Sequence, residues 1–418
     1  MNQPQRPLPG GRDRSKGGTA EPCGRAARRV ACRAAFAAAF ATAFATVLAA
    51  VLATATPAAA AAPLLPGSDD EVVQTLPGGL RGEDRALRRA LAERPGDAEL
   101  ALRAAQRWLG RARALGDTRY AGQALAALAA WPDAAAAPAA VVLMQATLRQ
   151  HLHQFDAAAA MLDALVVREP GDAQVWLTLA TVRRVQGRID ASDAACRGLA
   201  RVAGAAVHAA ACLAENAGLR GHFDAARAAL TPLAAAASLD DATRGWLLTT
   251  LAELEERAAR PAAADSAWRA ALRLDGGPYA RLACADFLIR AGRAAEVPPL
   301  LDALPRSDAV LLRLAIAAAV QQGSAGPLGA ELRERFEAAN LRPEAGAAHG
   351  REQAMYWLYV ERDAPRALAL ARANAQQQRE PIDLLVLTQA ARAARDRQAI
   401  TAAAALVRDV GLIDARLK

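Results

Sequence analysis

The sequence predicts an all-α protein built from repeated helix pairs. A short motif recurs with a period of 34: GRIDA at 187–191 reappears as GHFDA at 221–225, and HQFDA at 153–157 precedes it by the same interval. Such a period is typical of stacked helical hairpins. The composition agrees, because hydrophobic residues make up 53% of the chain and aromatic residues only 4%. Ala and Leu dominate that apolar fraction, and both favour helices over strands.

The 418 residues are more than one ordinary globular core would use, whereas a solenoid has no such limit because each repeat contacts only its neighbours. The net charge of +8 is concentrated at the N-terminus, where residues 1–62 carry eight basic and two acidic side chains. The remainder therefore has a net charge of only +2. A high overall isoelectric point is thus no argument for nucleic-acid binding by the repeats, and no nucleic-acid partner is expected.

The N-terminal segment, residues 1–62, has the pattern of an export signal. Residues 1–33 are polar and basic, an apolar run extends from Ala34 to about Ala55, and Ala60 and Ala62 fit an A-x-A cleavage site. This order of segments describes a secretory signal peptide. The apolar run is also long enough to span a bilayer, so an uncleaved inner-membrane anchor stays open, as does an ordinary buried helix. A cleaved signal predicts a periplasmic protein, with membrane association only if the segment is uncleaved.

Residues 63–82 contain three prolines and several glycines and are predicted to form an extended linker. Beyond them, a small residue lies seven positions before five of the predicted hairpin turns, where it would let two helices approach closely. These residues are Ala146, Ala180, Ala214, Ala252 and Ala285. Further turns are predicted at Gly116, Gly323, Asp363 and Asp396, and the pattern is interrupted where the position holds Leu109, Tyr356 or Gln389.

The repeating unit resembles the tetratricopeptide repeat. The residues that carry the resemblance are Trp176, Leu179, Ala180, Gly187, Arg188, Asp190, Ala191 and Ala195. In that family each unit is an antiparallel helix pair, and successive units form a right-handed superhelical solenoid. The resemblance implies such a solenoid of roughly nine hairpins over residues 83–418, with the best match over 139–238. Outside that window the period is less regular, because the turns expected at Ala259 and Gly292 depart from the spacing of the earlier ones.

The resemblance also implies a binding surface, because the first helices of such an array line a concave groove that takes protein partners. We expect three carboxylates, those of Glu215, Glu253 and Asp286, to form a line there beside the aromatic rings of Trp246 and Tyr279. Further groove positions are Gln174, Thr181, Arg184, His208 and Glu256. An acidic groove with two aromatic rings suits an extended peptide with basic and apolar side chains. The alternative is that the two rings pack against the preceding hairpin while the acids are simply solvated.

Three cysteines, Cys196, Cys212 and Cys284, remain after the predicted signal. Cys196 and Cys212 fall on consecutive helices of adjacent hairpins, so a disulfide between them is geometrically possible in an oxidising compartment. The alternative is that all three are small buried hydrophobic residues.

The sequence shows no catalytic constellation. It has no glycine-rich phosphate loop, no G-x-S-x-G and no H-E-x-x-H motif, and no cofactor is expected. His151 and His153 form the one close histidine pair, and we interpret them as a polar helix end instead of a metal site.

These observations favour a non-enzymatic, exported scaffold that binds a protein or peptide partner, over an enzyme or an enzyme's regulatory subunit. A narrower alternative is an accessory role in cell-envelope assembly or polysaccharide export at the outer membrane. Fold alone does not identify the pathway.

Overall fold

A computed structural model describes residues 82–275, 277–340 and 350–418, together with Ser68. The predicted signal peptide (1–62) lies outside the described residues, and so does the predicted linker (63–82) apart from Ser68 and Gly82. All the described helices belong to one compact unit, Leu80–Lys418. Within the described ranges, no helix combines the length and the apolar character needed to cross a membrane.

The described part of the chain forms α-helices without a strand. In chain order they are α1 (Gly82–Glu93), α2 (Ala98–Leu115), α3 (Thr118–Ala127), α4 (Ala139–His151), α5 (Phe155–Arg168), α6 (Ala173–Val185), α7 (Ile189–Leu199), α8 (Ala206–Leu219), α9 (Phe223–Ala235), α10 (Asp241–Arg257), α11 (Pro261–Asp275), α12 (Pro278–Arg290), α13 (Val297–Leu301), α14 (Asp308–Gln322), α15 (Gly326–Asn340), α16 (Gly350–Tyr359), α17 (Ala364–Asn374), α18 (Pro381–Ala393) and α19 (Arg397–Val410). Two short 3-10 turns, Ala294–Glu296 and Ala415–Leu417, complete the described structure.

After α1, consecutive helices pack as hairpins, from α2–α3 to α18–α19, which makes nine pairs in the described ranges. One residue with a positive φ lies between the two helices of each pair. These residues are Gly116, His153, Gly187, Gly221, Ala259, Gly292, Gly323, Arg362 and Arg395. A left-handed residue reverses the chain at the end of a helix. The predicted all-α solenoid of helix hairpins is therefore confirmed.

The hairpins are held together by small residues at the helix crossings. The alanines that precede the turns by seven residues, Ala146, Ala180, Ala214, Ala252 and Ala285, are all buried. Glycines allow even closer packing, since a Cβ at Gly198 would lie 2.5 Å from the Trp176 ring and one at Gly218 would lie 2.4 Å from Leu254. Where the alanine position holds Tyr356, the ring is fully buried and its hydroxyl donates to the Gly329 carbonyl at 2.9 Å. The hydroxyl of this buried ring therefore has an acceptor on the preceding hairpin.

The C-terminal end of the chain packs back against earlier hairpin turns. The Arg379 N–H donates to the Val185 carbonyl at 2.7 Å, and the Ile413 N–H donates to the Leu219 carbonyl at 2.8 Å. An apolar cluster joins the same parts of the chain and contains Ile189, Leu219, Leu384, Val410 and Leu412. The solenoid is therefore closed upon itself along the edge formed by the turns.

Candidate functional site

The predicted groove residues lie on the first helices of four successive hairpins. Helix α6 carries Gln174, Thr181 and Arg184, α8 carries His208 and Glu215, α10 carries Trp246, Glu253 and Glu256, and α12 carries Tyr279 and Asp286. Each of these side chains has a specific partner, and those partners determine what the surface can do.

Glu253 and Tyr279 connect neighbouring hairpins. The Tyr279 hydroxyl donates to Glu253 Oε1 at 2.6 Å, while 65% of the Tyr279 residue remains exposed. Burial raises the pKa of Glu253 to about 7, and the negative charges of Glu215 and Glu256 add to this, whereas Arg257 and the Tyr279 hydroxyl oppose it. The Tyr279 ring is therefore exposed to solvent, and the hydrogen bond to the Glu253 carboxyl group fixes its orientation.

Glu215 has a basic partner on the preceding hairpin. Arg184 Nη2 lies 3.1 Å from Glu215 Oε2, and both side chains are mostly buried. Two groove residues expected to act separately therefore neutralise each other.

Glu256 is buried under three donors. Its Oε1 accepts a hydrogen bond from Trp268 Nε1 at 3.0 Å. Its Oε2 accepts from Arg290 and, at 3.3 Å, from Arg416 Nη1 near the C-terminus. A carboxylate with three donors is a satisfied structural centre.

Asp286 is only 8% exposed, and its two oxygens accept from Arg313 Nε at 3.0 Å and Nη2 at 2.8 Å. The expectation of an open line of carboxylates through Glu215, Glu253 and Asp286 is thus corrected. The acids lie on successive first helices, but Asp286 and Glu215 are in ion pairs, because a buried charge without a partner would be costly.

The remaining groove positions are a mixture of contacts. The Trp246 ring stacks on the His208 ring of the preceding hairpin, with centroids 5.8 Å apart. The Gln174 amide donates to Thr178 Oγ1 at 3.2 Å, and Thr181 Oγ1 donates to the carbonyl of Leu177 on its own helix. Both aromatic residues of the predicted groove thus contact the preceding hairpin, as the alternative interpretation expected, although the acids are not simply solvated.

The sequence pattern did not identify the arginines near Glu253 and Glu256, above all Arg257. This residue is only 3% exposed, and its Nε and Nη2 atoms have no hydrogen-bond partner among the described residues. Burial lowers the pKa of Arg257, and the positive charge of Arg416 acts in the same direction, whereas Glu253 and Asp414 oppose the shift. Arg257 follows Glu253 by four positions on α10, a spacing that places two residues on one helix face and could have identified it.

Among the described residues, two cysteines form a disulfide and one is a free thiol. Cys196 on α7 and Cys212 on α8 form a disulfide, with Cα atoms 5.8 Å apart, and both are buried. Cys284 on α12 is free and buried. The bond ties the second helix of one hairpin to the first helix of the next.

The histidine pair, His151 and His153, lies at the end of α4 and in the hairpin turn that follows it. Burial lowers the pKa of His151 to about 4, with smaller contributions from Arg113 and His153, so its ring is neutral at pH 7. His153 forms a hairpin turn, and its Nδ1 atom lies 2.7 Å from Gln378 Nε2. Within the described residues, no three His, Cys, Asp or Glu side chains are grouped to hold a metal ion.

Comparisons with known proteins give similarity at the level of architecture. No family model matches the sequence, and no curated protein matches it. Among solved structures, the chain is similar to the APC/C hetero-tetramer Cut9–Hcn1, with 13% identity and a TM-score of 0.38. That similarity covers 78% of this chain and 52% of the other, so this chain spans about half the length of that structure.

The chain is also similar to the TPR domain of P58(IPK), with 15% identity and a TM-score of 0.22, over 72% of this chain and 99% of the other. Both TM-scores are low, so the assignment of the fold depends on the helix pairs themselves. The nine described hairpins, their left-handed turns and the regular period of the best repeats are those of a tetratricopeptide-like solenoid.

Proposed function

We propose that this protein is an exported, non-enzymatic scaffold that binds a protein or peptide partner through the first helices of its hairpins. The observation that carries the proposal is the arrangement of Tyr279. A large exposed ring is held by a hydrogen bond to Glu253, which lies on the same helix as Trp246, whose ring stacks on His208. Rigid aromatic side chains on a preformed surface are the usual anchors of protein interfaces, because little conformational entropy is lost when they bind.

Export is supported by two independent features. The N-terminal pattern is that of a signal peptide. The Cys196–Cys212 disulfide fits an oxidising compartment such as the periplasm. Cell fractionation, together with intact-mass measurement of the N-terminus, tests this part. Cleavage near Ala62 and recovery in the periplasmic fraction are expected, and an uncleaved chain in the inner membrane would contradict a periplasmic location.

The binding surface is tested by site-specific photocrosslinking in cells. A photoreactive residue at position 279 is expected to form a discrete adduct with a partner. The matched control is position 167 on α5, where Val167 is 82% exposed on the second helix of its hairpin. Equal adducts at both positions, or none at 279, would contradict binding through the first helices.

Two substitutions refine the test. Tyr279→Ala is expected to lower partner affinity by about 2 kcal/mol, the size typical of an aromatic anchor. Tyr279→Phe keeps the ring and loses only the hydrogen bond to Glu253, so it is expected to retain most of the affinity.

A narrower role in envelope assembly or polysaccharide export is the second candidate. Carbohydrate binding would use repeated aromatic platforms, and only Trp246 and Tyr279 are aromatic among the proposed groove residues. Protein binding is therefore the preferred proposal.

A further inference from the structure

The C-terminal segment, residues 411–418, forms a loop and the 3-10 turn Ala415–Leu417. Gly411 ends α19 in the left-handed conformation, with φ of 73°. The chain then turns back across α8 and α10, where Leu412 is buried in an apolar cluster with Ile189 and Leu219. This C-terminal segment therefore docks on helices that lie far earlier in the chain.

The segment makes a backbone contact at the end of α8. The Ile413 N–H donates to the Leu219 carbonyl at 2.8 Å. The last carbonyls of a helix have no partner within the helix, so they accept hydrogen bonds from any chain that lies beside them. Gly221 makes room for this approach, since a Cβ there would lie 3.0 Å from Ile413 Cβ.

Arg416, three residues later, makes the second contact. Its Nη1 lies 3.3 Å from Glu256 Oε2 on α10. Asp414, which is buried, accepts from Arg416 Nε at 2.9 Å and from Nη2 at 2.6 Å and thereby fixes the guanidinium. The receiving groups are thus a backbone carbonyl on one hairpin and a carboxylate on the next.

The segment leaves one buried donor of this surface unused. Arg257 follows Glu256 directly, is nine-tenths buried, and has two N–H groups without a partner in the described ranges. A buried donor without an acceptor is costly. The surface can therefore accept one more carbonyl or carboxylate oxygen than residues 411–418 supply, which suggests that this segment is a replaceable occupant.

We propose that α8 and α10 form a peptide-docking surface, that residues 411–418 cover it in the free protein, and that a partner segment with an aliphatic residue followed four residues later by arginine displaces them. This inference rests on the proposed function, because the displacing ligand is a protein partner. It adds the sequence pattern of that partner and the state of the surface before binding.

The first test uses a fluorescent peptide with the sequence of residues 411–418, GLIDARLK, in anisotropy titrations. The full chain and a chain truncated after Val410 are compared. Because a tethered segment competes at high effective concentration, the peptide is expected to bind the truncated chain at least about tenfold more tightly than the full chain. A peptide with alanine at the position of Arg416 is expected to bind the truncated chain about tenfold more weakly than GLIDARLK.

Truncation removes the buried Leu412, so a point variant provides an independent test in the full chain. Arg416→Glu places a negative charge beside Glu256 and keeps the apolar anchor. Hydrogen exchange at the Ile413 amide is expected to accelerate about tenfold, as local opening becomes easier. Arg408→Glu, the same charge change at an exposed position near the end of α19, is the control and is expected to leave that amide unchanged.

Three outcomes of these two tests would overturn the inference. They are equal peptide affinity for the two chains, failure of a folded truncated chain to bind the peptide, and unchanged Ile413 exchange in Arg416→Glu. A full-chain dimer that the peptide dissociates would also overturn it, since the occupant would then be a second copy of this chain. Peptide binding to the truncated chain without crosslinking at position 279 in cells would leave the docking surface standing and remove the proposed function.

Discussion

The hairpins of residues 139–238 and those of residues 278–418 share one geometry but bury different side chains. In the earlier region the buried polar residues are all uncharged: Thr178, Gln186, Ser192 and Asn216. In the described part of the later region they include the charged residues Asp286, Arg313, Asp383 and Asp414. Small apolar residues with glycine turns repeat visibly in a sequence, whereas ion pairs do not. The repeat pattern is therefore harder to recognise in the later region, where charged side chains form part of the buried packing.

The turns of the two regions also differ. Gly187 and Gly221 each reverse the chain and also lie under the C-terminal end, with a Cβ at Gly187 placed 2.9 Å from Val410. Gly292 reverses the chain in open space, with nothing within 4 Å of a Cβ. Arg362 and Arg395 reach positive φ without glycine. Glycine at positions 187 and 221 thus permits close approach as well as the left-handed conformation, whereas His153, in the same early region, has a positive φ without glycine.

The largest expected effect tests the buried charges. Arg313→Ala leaves the Asp286 carboxylate buried without its partner and is expected to lower the free energy of unfolding by about 3–5 kcal/mol. The control is Arg183→Ala, which removes a partly exposed ion pair with Asp163 in the repeat region and should cost about 0–1 kcal/mol. Urea unfolding followed by circular dichroism measures both. Equal losses would contradict the contrast between the two regions.

The next effect tests the covalent link in the repeat region. The double variant Cys196→Ala/Cys212→Ala is expected to lose about 2–4 kcal/mol of unfolding free energy, because the disulfide no longer restricts the unfolded chain. Adding a reductant should shift the urea midpoint of the intact protein toward that of the double variant, and should leave the double variant unchanged. Cys284→Ala serves as the control, since it must keep the response to reductant.

A smaller effect distinguishes the two kinds of glycine turn. Gly221→Ala should cost about 1–3 kcal/mol more than Gly292→Ala, because only the first adds overpacking against Ile413 to the backbone strain. Thermal unfolding of the two variants measures this difference. Matching midpoints would mean that the C-terminal segment does not rest on the Gly221 turn.

The smallest expected effect is a pH dependence centred on Glu253. Its pKa is raised from 4.5 to about 7 in the folded protein, so the folded state holds a proton that the unfolded state has released between these values. Stability from this group is therefore present at low pH and is lost as the pH rises through about 7, with a total of about 1 kcal/mol after allowance for solvent contact.

Glu253→Gln should remove this slope from a series of urea unfolding curves between pH 4.5 and 8. Glu93→Gln, at an exposed position on α1, is the control and should leave the slope as it is. A slope that persists in Glu253→Gln would assign the pH dependence to another group.

Much of the fold was predictable from short-range patterns. The turns at His153, Gly187, Gly221, Ala259 and Gly292 could be identified because a small residue seven positions earlier and a recurring period mark them. The later turns lie at Arg362 and Arg395, one residue before the aspartates that the pattern pointed to, because Asp363 and Asp396 cap the helices that follow. Local rules of helix start and stop are sufficient at this level.

The positions of the candidate site residues were predictable from the sequence, whereas the ion pairs of their carboxylates were not. Glu215, Glu253, Glu256 and Asp286 lie on the first helices as expected, but the Asp286 partner follows 27 residues later and the Arg416 partner of Glu256 follows 160 residues later. No periodicity connects such pairs, so an acidic groove was expected where the structure has largely compensated charge.

The sequence by itself determined the helix pairs, their order and most of their turns, because these depend on residues within one or two helical turns of each other. Only the tertiary structure decided that the chain closes on its own turn edge, that Cys196 and Cys212 bond, and that residues 411–418 cover α8 and α10. These features depend on the accumulated rotation of successive hairpins, which brings distant residues together. A small angle at each helix crossing sets that rotation, and no single stretch of sequence encodes its sum.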